Sequence, residues 1–152
     1  MVIREFYDKG LFVFADSFPR WEDAIYASIQ PMIDRGIVDR KYGDEIIDSV
    51  HKYGAYINIS EEVCIPHAGI SPAVHGSEMT MMITKKPVDF GEESEFKPRL
   101  FFAFCSTDAD AHLERLRQIS DFCSDEESME ELLRLQNEEE LKLYLRQKGE
   151  RV

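Results

Sequence analysis

A chain of 152 residues can bury roughly 70% of its unfolded surface, so one domain is expected over 1–152, with its core at about 10–146. Eighteen basic residues against 30 acidic ones give a net charge of −12, which argues against nucleic acid or an anionic membrane surface as a partner and for a basic protein. The longest apolar run, Leu100 to Cys105, falls far short of the roughly 20 residues of a membrane span, and the N-terminus lacks the pattern of an export signal, so a cytoplasmic chain is expected.

The first predicted element is a bulky strand at Leu11 to Ala15. Asp16-Ser17-Phe18-Pro19 then offers a turn and a helix start. Trp21, Ala24, Ile25, Ser28, Ile29, Met32 and Ile33 recur at helical spacing, with Gly36 placed for a left-handed stop. Pro31 predicts a kink or a break into two shorter segments. Asp39 can cap a second helix that carries Tyr42, Ile46, Ile47 and Val50 on its apolar side and ends at Gly54.

Ala55 to Ser60 and Val63 to Ile65 read as extended, the latter cut short by Pro66, which cannot donate to a central ladder. His67 therefore stands at a strand end, in a loop opened by Ala68-Gly69. Pro72-Ala73-Val74 suits a short turn of helix, and Met79 to Thr84 a buried strand. The acidic stretch from Asp89 to Pro98 reads as a solvated loop. Leu100 to Cys105 is the most apolar strand, followed by Thr107-Asp108 as caps of a helix to Phe122 that packs through Leu113, Leu116 and Ile119. Ser124-Asp125-Glu126-Glu127 and Asn137 with Glu140 begin two further helices. Short apolar strands between helices give an α/β class, a sheet covered by helices with at least one strand-to-helix crossover. Cys64, Cys105 and Cys123, odd in number and widely spaced, read as buried free thiols.

Chemistry concentrates on Cys64-Ile65-Pro66-His67-Ala68-Gly69, where a strand delivers an imidazole into a loop beside small residues. A neutral imidazole can attack phosphorus and later release it, while its second nitrogen fixes the ring. The same residues also suit a histidine that merely follows a strand. His112, behind another predicted strand end, would converge with His67 if the two strands were parallel, and its helix start would expose backbone donors. The wide spacing of His51, His67, His75 and His112 matches no compact metal motif, and Asp108 and Asp110 read as helix caps rather than a metal pair. With no phosphate-binding glycine loop ending in Lys-Ser or Lys-Thr, ATP is not implied, nor is any other cofactor. Any phosphoryl group would come from another protein.

Three ordered blocks, Ile65-Pro66-His67-Ala68, Lys85 to Phe90 and Leu100 to His112, resemble the IIA component of the bacterial phosphoenolpyruvate-dependent sugar phosphotransferase system, in the mannitol/fructose superfamily. The likeness spans about residues 10–146 and lies nearest the ascorbate-type branch. It implies one domain with a mixed sheet flanked by helices and a phosphotransferase component with a phosphohistidine intermediate. In it His67 accepts a phosphoryl group from the histidine-containing phosphocarrier protein, with His112 beside it, and a IIB component is the next acceptor, working with a IIC membrane permease. The sequence leaves a homodimer open. Val50-His51-Lys52 stands where the mannitol and fructose branches often place an arginine, so His51 or Lys52 is a candidate for positive charge at the phosphate. Ala55 replaces the proline of the ascorbate-type Gly-Pro-aromatic segment. The implied alternative is a regulatory IIA-like protein whose phosphorylation state controls a partner without sugar transport.

Overall fold

The structure, a computed structural model, describes residues 3–149. Four strands, β1 (Phe12–Ala15), β2 (Val63–Cys64), β3 (Glu78–Thr84) and β4 (Leu100–Cys105), form a mixed sheet in the order β1-β3-β4-β2. β3 is antiparallel to β4, whereas β1 pairs parallel with β3 and β2 parallel with β4. Every residue of β4 is buried, as its unbroken apolar sequence requires of a strand covered on both faces. Cys105 Sγ lies 3.9 Å from Met32 on one face, while Phe102 meets Phe6 and Phe122 on the other.

Met32 belongs to α2 (Trp21–Asp34), whose Ala24, Ile25, Ser28 and Ile29 form its buried stripe. Of the kink or break expected at Pro31, the break does not occur, and α2 runs on as one helix. Pro31 lies in the last turn, where one missing donor affects a single bond, and the Arg35 guanidinium donates to its carbonyl at 2.9 Å. Gly36 then takes φ +70°, the left-handed stop. The following helix, α3 (Lys41–Tyr53), packs so closely on α2 that a Cβ on Gly43 would stand 2.5 Å from the Tyr26 ring. Asp39 does not cap α3: its carboxylate pairs with His75 Nε2 at 3.0 Å, and only its carbonyl, accepting from Tyr42 N–H, serves the helix.

One stretch expected to be extended and one expected to be helical differ in detail. Residues 55–60 form turns with one bridge, Asn58 opposite Cys64, and Pro72-Ala73 make a turn after which Val74 bridges to the distant Val38 instead of lying in a helix. The acidic loop is anchored, because Phe90 is buried and stacks on Trp21 at 5.1 Å before a 3₁₀ turn at Gly91–Glu93.

The opposite face carries α1 (Ile3–Lys9), α4 (Ala109–Cys123), α5 (Glu126–Leu133) and α6 (Glu138–Gln147). No element was expected before Leu11, yet Ile3 and Phe6, one turn apart, are both buried and Phe6 stacks on Phe102 at 6.1 Å, so the core begins before residue 10. Asp108, Asp125 and Asn137 accept the backbone N–H groups that cap α4, α5 and α6. The α5 cap is thus one residue later than Ser124, whose hydroxyl donates back to Asp121 O. In α4 only Ile119 is fully buried, and Leu113, expected on the packing face, is 66% exposed. Cys64 and Cys105 are buried free thiols, whereas Cys123 is partly exposed. Among the described residues no helix is long and apolar enough to cross a membrane.

Candidate active site

Parallel pairing of β2 with β4 sets Cys64 beside Phe101, and the Pro66 carbonyl extends the ladder by accepting from Phe104 N–H at 3.0 Å. The chain can leave the sheet at Pro66 because a proline has no N–H to continue with. His67 consequently emerges beside the end of β4, its ring stacked on Phe104 at 4.6 Å between centroids and 16° between planes. Beyond β4 the chain turns at Asp108 into α4, which returns His112 edge-on to both rings, each at 5.3 Å. The convergence expected of two parallel strand ends is therefore present in the fold. The expected backbone donors of the α4 start are fewer than anticipated, since the Asp108 carboxylate already accepts from Ala111 N–H at 2.8 Å.

His67 Nδ1 lies 2.7 Å from Ile65 O. A carbonyl only accepts, so Nδ1 carries the hydrogen and Nε2 keeps the lone pair. Burial lowers the pKa of this imidazole from its ordinary value, reinforced by repulsion from His112 and opposed by the Ile65 carbonyl. A neutral ring with one committed nitrogen and one free one is suited to nucleophilic attack near neutral pH.

The ring opens on a cleft of about 450 Å³ lined also by Ser49, Tyr53, Tyr56, Gly69 and His112. Ser49 and Tyr53, one turn apart, present the α3 face that reaches it. His51 and Lys52, the two candidates for positive charge, do not line the cleft. His51 packs edge-on against Trp21 at 5.5 Å with Nδ1 3.7 Å from Glu93, and Lys52 Nζ lies 5.1 Å from the Tyr53 ring centroid. Helical geometry turns His51 away from the face that Ser49 and Tyr53 share. His75 is paired with Asp39, apart from the cleft.

Two tyrosines that the sequence did not single out for chemistry hold the His67 loop. The Tyr42 hydroxyl donates to Phe104 O at 2.8 Å and accepts from Ala68 N–H at 2.9 Å. Tyr56 donates to His67 O and meets its ring edge-on at 5.3 Å. Burial raises the pKa of both phenols, so they remain protonated donors, with Ser49 opposing the rise at Tyr56. The only signal for Tyr42 was a hydroxyl at a position read as apolar, since a buried phenol needs a partner.

A mixed sheet of this order, with helices on both faces, is the fold of the IIA enzymes of phosphotransferase systems. The mannitol-specific cryptic phosphotransferase enzyme IIA CmtB from Escherichia coli matches it with a TM-score of 0.78, over 93% of this chain and 95% of that one, at 22% identity. Residues 5–148 match the family described as "Phosphoenolpyruvate-dependent sugar phosphotransferase system, EIIA 2", and the chain belongs to that family, a phosphotransferase component. Among its relatives, the ascorbate-specific PTS system EIIA component of Mycoplasma pneumoniae is 34% identical over 115 residues, 74% of this chain and 71% of the relative. The ascorbate-specific EIIA component of Escherichia coli strain K12 is 24% identical over 122 residues, 80% of this chain and 79% of the relative.

Proposed function

We propose that His67 is the phosphoryl acceptor of this EIIA component, taking the group on Nε2 from the histidine-containing phosphocarrier protein and passing it to a IIB component during uptake of ascorbate or a related substrate. The observation that carries the reading is the 2.7 Å contact of Nδ1 with Ile65 O, which leaves Nε2 as the nitrogen free for chemistry beside the cleft. In the transfer the P–N bond of the donor's phosphohistidine breaks, its electron pair staying on the departing imidazole. The Nε2 lone pair forms the new P–N bond, and the Nδ1 hydrogen stays on Nδ1, donated to Ile65 O. Onward transfer reverses these roles, with a IIB cysteine thiolate as nucleophile. His112 donates to a phosphoryl oxygen and is not itself a relay acceptor.

Docking uses the apolar rim of the cleft. Tyr53, which lines the cleft, is 69% exposed, and Ile70 and Leu113, next in sequence to the lining residues Gly69 and His112, are 58% and 66% exposed, apolar side chains suited to a partner's surface. The ascorbate assignment is supported by the ascorbate-specific relatives and by the cleft wall, where Ser49 and Tyr53 occupy the α3 face and, among the described residues, no arginine lines it.

Incubation with phosphoenolpyruvate and the general phosphotransfer proteins should add about 80 Da to the intact protein and nothing to folded His67→Ala. An acid-labile adduct on the folded variant would reject His67. Onward transfer from the charged protein to ascorbate-type and mannitol-type IIB components then reads the substrate class. A phosphorylated protein that discharges to neither favours the regulatory alternative.

A further inference from the structure

The peptide unit between His67 and Ala68 is held at both polar ends by side chains from different parts of the chain. Its carbonyl accepts from the Tyr56 hydroxyl, and its N–H donates to the Tyr42 hydroxyl at 2.9 Å. Tyr42 is fully buried in α3, and its own proton goes to Phe104 O at 2.8 Å, the nearer of two carbonyls within reach, the other being Ala68 O at 3.3 Å. Phe104 is also the residue whose ring lies flat beneath the His67 imidazole. One hydroxyl thus ties the backbone just after the histidine to the strand residue on which the histidine rests.

We infer that Tyr42 and Tyr56 are positioning residues that clamp the His67–Ala68 peptide plane and so aim Nε2 of His67 into the cleft. A histidine side chain has two rotatable bonds. The Ile65 contact fixes the ring relative to the backbone before it, and the clamp fixes the backbone after it. With both sides set, the direction of the Nε2 lone pair is defined before a phosphoryl donor arrives, which is what an in-line transfer needs. A tyrosine suits Tyr42's place because one hydroxyl both donates and accepts, joining β4 to the loop; phenylalanine would keep the packing and lose both bonds. The inference rests on His67 being the acceptor, and its test separates the two.

The experiment is single-turnover phosphoryl transfer from the charged histidine-containing phosphocarrier protein to wild type, Tyr42→Phe, Tyr56→Phe and the double variant, over a range of acceptor concentration. Circular dichroism establishes that each is folded, and ¹H–¹⁵N spectra of the imidazole read its tautomer. Each single variant should lower the limiting transfer rate about 10-fold, with half-saturation changed less than about twofold, and should weaken the preference for the Nδ1–H tautomer. Because both hydroxyls hold one peptide plane, the double variant should fall well short of the product of the single effects. Tyr56→Phe changes a partly exposed group and keeps the test alive if the buried Tyr42 variant fails to fold. Wild-type limiting rates and tautomer spectra in the folded variants would overturn the clamp, as would a loss confined to half-saturation. A wild-type protein that takes no phosphate on His67 would overturn the acceptor reading instead.

Discussion

Burial holds the His67 imidazole below its ordinary pKa of 6.5, and two measurable effects follow from the direction of that shift. In the window between the folded value and 6.5 the unfolded chain binds the proton and the folded one does not. The contribution of this group to stability is therefore complete above 6.5 and is lost as pH falls through the folded value. The nucleophile stays available over the same window, so the pH profile of phosphoryl acceptance should have its lower midpoint below 6.5; an NMR titration of His67 with its midpoint at or above 6.5 would contradict this. His112→Ala leaves that nucleophile in place and removes one donor, so transfer should slow on the order of 10 to 1000 fold in single-turnover measurements, both to the protein and onward. Wild-type rates in both steps would return His112 to a packing role. At this scale the sequence was informative about His67, because Pro66 and the small residues after it expose a strand end. It was silent about Tyr42 and Tyr56, whose hydroxyls gain meaning only once β4 and the loop are neighbours. His51 misled for a related reason: closeness in sequence to the cleft face of α3 is not membership of it.

The site depends on elements whose relative placement is set by close packing. α3, which contributes Tyr42, Ser49 and Tyr53, is seated against α2 at Gly43, and the Tyr26 ring opposite cannot yield freely because its hydroxyl binds Asp44 while Arg40 lies 4.0 Å over its face. Gly43→Ala should therefore destabilise the fold by about 1–2 kcal/mol, overpacking outweighing the gain in helix propensity. Urea unfolding should show a lower midpoint at unchanged slope. An increase in stability would mean that α3 can shift, and with it the cleft wall. The sequence predicted helices α2 to α6 from their periodicity, and all are present. It erred where a competing contact decided the outcome: Asp39 drawn to His75, and α1 recruited by Phe102, which no local pattern around Ile3 and Phe6 announces.

The molecule as a whole carries a net charge of −12 together with exposed apolar side chains at Tyr53, Ile70 and Leu113. Attraction of that charge to a basic partner acts mainly during approach, so added salt should lower the association rate with the phosphocarrier and leave dissociation largely unchanged. Salt-independent association by stopped flow would reject steering. Strand order was not legible, since apolar runs say that strands are buried but not which ones pair. The parallel alignment of β2 with β4 belongs to that illegible part, and it bears on how the protein is made. Segments far apart in the chain must meet before His67 rests on Phe104, and such non-local pairings are slow steps in folding. Until β4 is laid beside β2, His67 lacks the Phe104 ring on which it rests and the His112 imidazole beside it. On the proposed reading, a copy in which this pairing has not formed should accept a phosphoryl group more slowly than the folded protein, because the contacts that seat His67 are missing.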